Sequence, residues 1–380
     1  MILLAGPGAT TGTILPVVVD ALAGPRISVT LSLGLAAAQM TGMGAALLAA
    51  SGFINKVDRR AFAAASLAIA VAATLATVIT RDPPALFLLR GLVGAGCGVA
   101  YAIALASIAG SANSARNFGL FMATNQICGI LLLAILPRVS AAGGLSHAMI
   151  ALAIFTAASG AALPWLPRRG EHTLGPAQTT GLSRAVSRGP VLLGFGSMFL
   201  LAAAFGACWP IVGQIALAHG VSRGSIGSGL ALAGFGGVAG GLAAAWLAPR
   251  LSDQRILTLG SLGFTASIAL QAAPGASFTL AAVALMFFCA FNVPNYLNFV
   301  GKLDGAGRLP ILMTALMQLG MAAGQAIVAS LGVKGDGFPI ILFATALASL
   351  SWAAVLFTVR LAKAAAARTI AVAPDGPLSD

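Results

Sequence analysis

Long stretches without charged residues alternate along the chain with short polar breaks. Each stretch is long enough to cross a bilayer as a helix, because a spanning helix needs about 20 apolar residues at a rise of about 1.5 Å per residue. The breaks carry turn dipeptides such as Gly24-Pro25 and Pro274-Gly275, which end helices. The pattern predicts an all-α membrane protein with twelve transmembrane helices, at residues 2–23, 29–50, 61–80, 85–110, 118–137, 146–166, 191–217, 225–248, 256–273, 277–300, 309–331 and 338–359.

The composition is that of a protein embedded in a lipid bilayer. The 380 residues are 59% hydrophobic and 8% charged, whereas soluble domains carry about 25% charged residues. The net charge of +12 lies in short loops rather than in a basic patch with aromatic residues, so nucleic acid is not an expected partner. The loops on one predicted side hold most of the lysines and arginines, which places both termini in the cytoplasm of a multi-pass plasma (inner) membrane protein. The start has no basic region of a cleavable signal, and Met1 stands almost inside the first span, so a minimal or truncated start is expected.

The chain divides into two similar parts. Gly12-x-x-x-Pro16-x-x-x-Asp20 recurs 194 residues later as Gly206-x-x-x-Pro210-x-x-x-Gln214, and Arg116 and Gln126 recur as Arg308 and Gln318. The longest connection, Pro167–Pro190, is polar and falls at mid-chain. These features predict a six-helix N-terminal half (1–166), a cytoplasmic linker (167–190), a six-helix C-terminal half (191–360) and a disordered cytoplasmic tail (361–380).

A short charged turn follows the second span and reads SGFINKVDRR from Ser51 to Arg60. It resembles the loop between the second and third helices of the major facilitator superfamily, whose pattern is Gly-x-x-x-Asp-Arg/Lys-x-Gly-Arg-Arg/Lys. The basic positions match, while Ser51, Asn55 and Asp58 depart from the usual residues. The resemblance implies the fold of that superfamily and transport by alternating access. It also implies a conformational switch formed by Ser51, Asn55, Lys56, Asp58, Arg59 and Arg60.

The fourth span holds a second resemblance. Its sequence Arg90-x-x-x-Gly94-x-Gly96-x-Gly98 is similar to the fourth-helix motif of the superfamily. Gly94 and Gly98 lie four residues apart and form a smooth face for close helix packing. Arg90 stands inside the span, where a cation is costly unless it is paired. It either reaches the headgroups or faces the central cavity.

Asp20 is the only acidic residue that the pattern places within a span. It either pairs with Arg26 at the interface or faces the cavity, as its polar repeat mate Gln214 suggests. Spans 1, 4, 7 and 10 line the cavity in the superfamily, so the resemblance would bring Asp20 beside Arg90. A carboxylate that releases arginine on protonation could couple transport to protons.

Amides and tyrosines supply the remaining polar groups within the spans. Asn292, Asn295 and Tyr296 share one helical face, and Pro294 between them predicts a kink. These groups either bind an uncharged or singly charged solute or join helices by hydrogen bonds. The candidate substrate and coupling residues are Asp20, Arg90, Tyr101, Gln126, Gln214, Asn292, Asn295, Tyr296 and Gln318.

Together these features predict a secondary active transporter of a small organic solute, with an organic anion favoured by the intramembrane arginine. The alternative is an efflux antiporter for hydrophobic compounds, although the fifth span lacks the Gly/Pro-rich motif of drug antiporters. A polytopic membrane enzyme would need clustered catalytic groups, and the sequence shows no such cluster and no nucleotide-binding loop. No cofactor or metal is expected. The expected partners are the solute, protons and lipid, with the chain acting as a monomer, and the sequence leaves the solute's identity open.

Overall fold

A computed structural model describes residues 2–24, 27–53, 57–109, 114–168, 188–272, 277–302, 309–332 and 337–372. Every regular element within these ranges is a helix. The α-helices are α1 (Ile2–Thr11), α2 (Leu15–Leu22), α3 (Val29–Phe53), α4 (Arg59–Ile79), α5 (Pro83–Ala109), α6 (Ser114–Ser159), α7 (Arg188–Cys208), α8 (Val212–Ala218), α9 (Arg223–Leu247), α10 (Asp253–Ala269), α11 (Phe278–Lys302), α12 (Leu309–Leu331) and α13 (Phe338–Val372). Short 3-10 turns follow α6, α7 and α10, at Gly160–Trp165, Trp209–Ile211 and Leu270–Ala272.

The helices agree with the predicted spans. Within the described ranges nine helices are long and apolar enough to cross a membrane, or ten if α1 and α2, which are bent by 68°, form one broken span. Helix α6 covers two predicted spans and is interrupted at Gly143 and Gly144, whose backbone angles are not helical. Helix α10 covers the predicted ninth span in 17 residues. With these divisions the elements are consistent with twelve crossings.

The last helix extends further than the sequence predicted. Helix α13 continues to Val372, so residues 361–372 are helical and the predicted disorder from residue 361 is wrong there. The physical reason is local composition, because the run contains four consecutive alanines, Ala364–Ala367, and alanine has the highest helix propensity. Residues 373–380 lie outside the described residues.

Equivalent helices in the two halves begin at equivalent residues. Ser28 accepts a hydrogen bond from the Leu31 N–H at 3.1 Å at the start of α3, and Ser222 accepts one from the Ser225 N–H at 3.2 Å at the start of α9. Asp58 caps α4 and Ser252 caps α10 in the same way. Both pairs of caps are 194 residues apart in the sequence, the same spacing as the repeated motif. The division into two halves stays a prediction, and the caps support it at the level of local structure.

We call α1 to α6 the first half and α7 to α13 the second half. They are in contact along two helix pairs, since α3 packs against α12 and α6 packs against α9. Within the first half, α5 lies close against α3. A Cβ atom on Gly94 would collide with the backbone of Gln39, and one on Gly98 would meet the backbone of Met43. The predicted packing role of these two glycines is therefore confirmed.

This contact gives a test with a matched control one turn away. Gly94→Ala should lower the melting temperature, because the added methyl group has no room against the Gln39 backbone and such overpacking costs about 1–3 kcal/mol. Gly91→Ala should not lower it, because its Cβ would meet only the Ala38 carbonyl oxygen at 3.9 Å. Alanine also favours a helix over glycine by about 0.5–1 kcal/mol. Thermal unfolding of both variants in detergent checks this, and equal melting temperatures would contradict the packing.

Candidate functional site

A cleft of about 630 Å³ lies between the two halves. Its walls come from α2 and α6 in the first half and from α8 and α9 in the second. We call this end of the bundle the Asp20 end, and the opposite end, which holds Asp58–Arg60, the basic-turn end. The polar side chains that line the cleft are Asp20, Arg138, Ser140, Gln214, Arg223 and Ser228.

Asp20 links the halves across this cleft. Its Oδ1 accepts a hydrogen bond from Gln214 Nε2 at 3.1 Å and lies 3.5 Å from Arg223 Nη1. The side chains of Arg223 and Asp20 are 74% and 48% exposed, so the protein does not bury the pair. An exposed ion pair adds little to stability, and this contact can therefore form and break at small energetic cost. Asp20 and Gln214 are also repeat mates, so the contact joins the same position of both halves.

A second contact between the halves lies deeper, where the first span is broken. The Val17 N–H donates to the Ile14 carbonyl at 3.1 Å rather than to the Thr13 carbonyl four residues earlier. The Thr13 carbonyl instead accepts from Trp209 Nε1 at 2.9 Å, and Trp209 is fully buried. Trp209 opens the 3-10 turn between α7 and α8. The irregular points of the two corresponding spans are thus hydrogen-bonded to each other.

Arg90 lies in a separate place, inside the first half. It is 1% exposed, and its Nη2 donates to Gln39 Oε1. Its Nη1 is 3.9 Å from the sulfur of Met149, and its Nε has no partner among the described residues. A small cavity of about 30 Å³ adjoins it, and the lining residues all belong to the first half.

The predicted pairing of Asp20 with Arg90 is therefore wrong for this structure. Leu15 and Val18 line the Arg90 cavity, whereas Pro16, Val17 and Asp20 line the cleft. Successive residues turn by about 100° around a helix, so α2 presents these two sets to opposite sides. Arg90 lines the small cavity of the first half and not the cleft, and at 1% exposure it does not reach the surface either. The alternative partner, Arg26, lies outside the described residues.

The polar cluster of the tenth span is buried in the second half. Asn292 Nδ2 donates to the Gly260 carbonyl at 2.9 Å, and the Tyr296 hydroxyl lies 3.2 Å from that of Ser261 and 3.3 Å from that of Ser351. Asn295 Nδ2 donates to the Phe291 carbonyl of its own helix at 2.7 Å. Asn292 and Tyr296 thus join α11 to α10 and α13. Of the two alternatives for these residues, the contacts agree with hydrogen bonds between helices rather than with solute binding.

The other candidates are also distributed away from the cleft. The ring of Tyr101 packs on that of Phe121, with centroids 5.9 Å apart. Gln126 in α6 lies against Gly237 in α9, where the halves meet. Gln318 is buried, and its Oε1 has no partner among the described residues. Of the predicted substrate and coupling residues, the structure brings Asp20 and Gln214 together at the cleft.

Sequence reasoning missed four polar residues of the cleft, namely Arg138, Ser140, Arg223 and Ser228. The predicted spans 118–137 and 225–248 leave both arginines in loops, where their charge bears only on topology. A signal was present at Arg223, which follows the capping residue Ser222 and so starts α9 at the edge of the cleft. A polar residue at the first turn of a spanning helix can face a cleft as readily as the headgroups.

The basic turn contacts its own half. Asp58 accepts hydrogen bonds from the backbone N–H groups of Arg60 and Ala61 at 2.9 and 3.1 Å. Arg60 Nε donates to the Leu166 carbonyl, and the Arg59 N–H donates to the Arg168 carbonyl at 2.9 Å. These bonds tie the start of α4 to the end of the sixth span. Asn55 and Lys56 lie outside the described residues, and so does the side chain of Ser51.

The second half has a related contact at the same end. Lys363 Nζ donates to Gln254 Oε1 at 3.0 Å, and Gln254 stands 194 residues after Arg60. The start of the third span is therefore tied to the end of the sixth span of its half in both cases.

Comparisons with known proteins agree with this architecture. The family model of the Major Facilitator Superfamily matches residues 1–303. Among solved structures, a crystal structure of the nucleoside transporter NupG, a point mutant, superposes with a TM-score of 0.66 at 15% sequence identity. The match covers 96% of this chain and 98% of that one, and at this identity it shows the fold alone. A search of curated proteins found no match.

Proposed function

Since this chain belongs to the major facilitator superfamily, we propose that it moves a small organic anion across the membrane by alternating access, coupled to protons. The halves rock about the contacts that join them and expose the cleft at one end of the bundle at a time. Alternating access requires a binding cleft with walls from both halves, because the movement of one half against the other then opens or closes the cleft. The carrying observation is the cleft between the halves, with Asp20 bonded across it to Gln214 and Arg223.

The charges of the cleft favour an anionic solute. Arg138 and Arg223 line it together with Asp20, so the described lining carries one more positive than negative charge. Gln214, Ser140 and Ser228 add hydrogen-bonding groups beside proline and valine side chains. A few polar groups on a mainly apolar wall are typical of small-molecule sites. This supports a solute with one negative charge and an apolar body.

Asp20 is the group that we propose for proton coupling. Its carboxylate faces Arg223 and Gln214 directly, with Arg138 in the same cleft. A proton on Asp20 removes the charge that attracts Arg223, which weakens the link between the halves and leaves the arginine free for an anion. Proton binding and opening of the cleft would then be linked through one side chain.

The basic turn gives a prediction about rate. Arg60→Gln should lower the turnover number with little change in the substrate KM, because Arg60 holds the end of the sixth span through the Leu166 carbonyl, far from the cleft. Arg250→Gln is the matched control, since among the described residues the Arg250 guanidinium donates to the Trp246 carbonyl of its own turn and stacks on the Trp246 ring. Initial rates of uptake in proteoliposomes separate the two parameters. An equal effect of both substitutions would leave the turn with a role in topology alone.

Uptake into proteoliposomes tests the function itself. The purified chain is reconstituted, and organic monoanions, nucleosides and hydrophobic cations are offered with and without a pH gradient. Nucleosides belong in the panel because NupG is a nucleoside transporter with the same fold. We expect saturable, gradient-driven accumulation of a monoanion. Export of hydrophobic cations alone would favour the antiporter alternative, and transport that ignores the pH gradient would remove the proton coupling.

A further inference from the structure

We propose that the small cavity beside Arg90 is a binding site for one monatomic anion, of which chloride is the obvious physiological candidate. The site lies inside the first half and is separate from the cleft between the halves. The proposal does not rest on the proposed transport activity, because the cavity and the cleft share no lining residue.

The first argument is electrostatic. Arg90 is 1% exposed. A guanidinium group stays protonated in proteins, and a buried cation is costly unless a counter-charge compensates it. The described acidic residues are Asp20, Asp58, Asp82 and Asp253, and none of them lines the cavity. Gln39 and Met149 contact the guanidinium, and both are neutral. Within the described structure the charge of Arg90 therefore lacks a protein counter-ion.

The second argument is the geometry of the donors. Arg90 Nε is buried without a partner, and the same side chain lines the cavity together with Gln39. The Cys97 thiol and four threonines complete the polar lining, and the threonines are Thr10, Thr11, Thr74 and Thr156. Their hydroxyls donate to carbonyls one turn earlier at 2.6 to 2.9 Å. Each hydroxyl can rotate and donate to an ion instead.

The third argument is size. The cavity of about 30 Å³ exceeds the roughly 10–15 Å³ that a site needs to hold one water molecule. A chloride ion is of similar size to a water molecule, so the cavity has room for it. A water molecule would bond to the free Nε–H group of Arg90 but would not balance the guanidinium charge. The positive charge therefore favours an anion over water in the cavity.

Halide binding to the full chain in detergent provides the test. Radiolabelled chloride should bind saturably at about one ion per chain, and bromide should displace it while gluconate should not. Arg90→Gln should abolish the binding. Arg81→Gln, which removes a charge from the exposed loop before α5, should retain it.

Halide binding to the unsubstituted and to the Arg90→Gln protein decides whether the cavity holds an anion. Absence of saturable halide binding to the unsubstituted protein would overturn the proposal and leave the cavity to water. Unchanged binding in folded Arg90→Gln protein would overturn it as well. If Arg90→Gln does not fold, the anomalous signal of bromide in crystals of the unsubstituted protein decides. A peak within hydrogen-bonding distance of Arg90 Nε supports the site, and no peak there overturns it.

Discussion

Asp20→Asn is expected to abolish accumulation driven by a pH gradient while exchange of solute for solute continues. The amide has nearly the shape of the carboxyl group and can still bond to Gln214, but it neither carries a proton nor attracts Arg223. Coupling therefore fails completely. The exposed Asp20–Arg223 pair is worth about 0–1 kcal/mol, so the exchange rate should change less than about fivefold.

Asp82→Asn is the matched control. Asp82 lies at the same end of the bundle and accepts a hydrogen bond from the Ala85 N–H at 3.0 Å, but it does not line the cleft. The substitution changes the charge by the same amount and should leave uphill transport intact. Uphill transport by the Asp20→Asn protein with a pH gradient as its only energy source would show that Asp20 is not the coupling group.

A covalent link across the cleft is expected to stop transport, including exchange. Ala141 in α6 and Ser228 in α9 line the cleft from different halves. A short linker between cysteines introduced at these two positions would fix the width of the cleft, so the halves could not move relative to each other. We expect at least about a tenfold loss of rate, since the conformational change is obligatory in alternating access. A linker with a cleavable disulfide should restore transport on reduction.

The control for this experiment places both cysteines in one helix. Gly224 and Ser228 both line the cleft from α9, so a link between them occupies the same space without joining the halves. The four native cysteines are the same in both proteins. A block that appears equally in the control would indicate obstruction of the cleft rather than arrested movement.

The sequence could predict the helices because lipid makes hydropathy a strong signal. The glycine face of the fourth span was also predictable, since Gly94 and Gly98 recur at one helical turn. The break between the fifth and sixth spans was predictable as well, and the structure places it at Gly143 and Gly144 within α6. The helical extension to Val372, which depends on a local alanine run, was not predicted.

The partners of individual side chains were less predictable. Asp20 and Arg90 are the two opposite charges that the sequence places inside spans, and their similar depth on helices that the family resemblance makes neighbours predicted that they pair. Depth does not define which side of a helix a residue occupies, and the break at Gly12–Ile14 changes the direction of α2 by 68°. Asp20 therefore faces Arg223, a residue whose sequence position suggested only a loop. The Asp20–Gln214 contact follows the repeat spacing and could have been inferred from it.

The central claim is that the two ends of the bundle open in alternation. Spin labels at Ala141 and Ser228 measure the width of the cleft, and labels at Gly52 and Arg255 measure the separation of the halves at the basic-turn end, where both side-chain positions are exposed. Distance distributions are recorded in acidic and alkaline buffer, with and without a transported solute. We predict that the two distances change in opposite directions, with one widening as the other narrows. Distances that stay constant at both ends, or that widen together, under conditions in which transport proceeds would contradict alternating access.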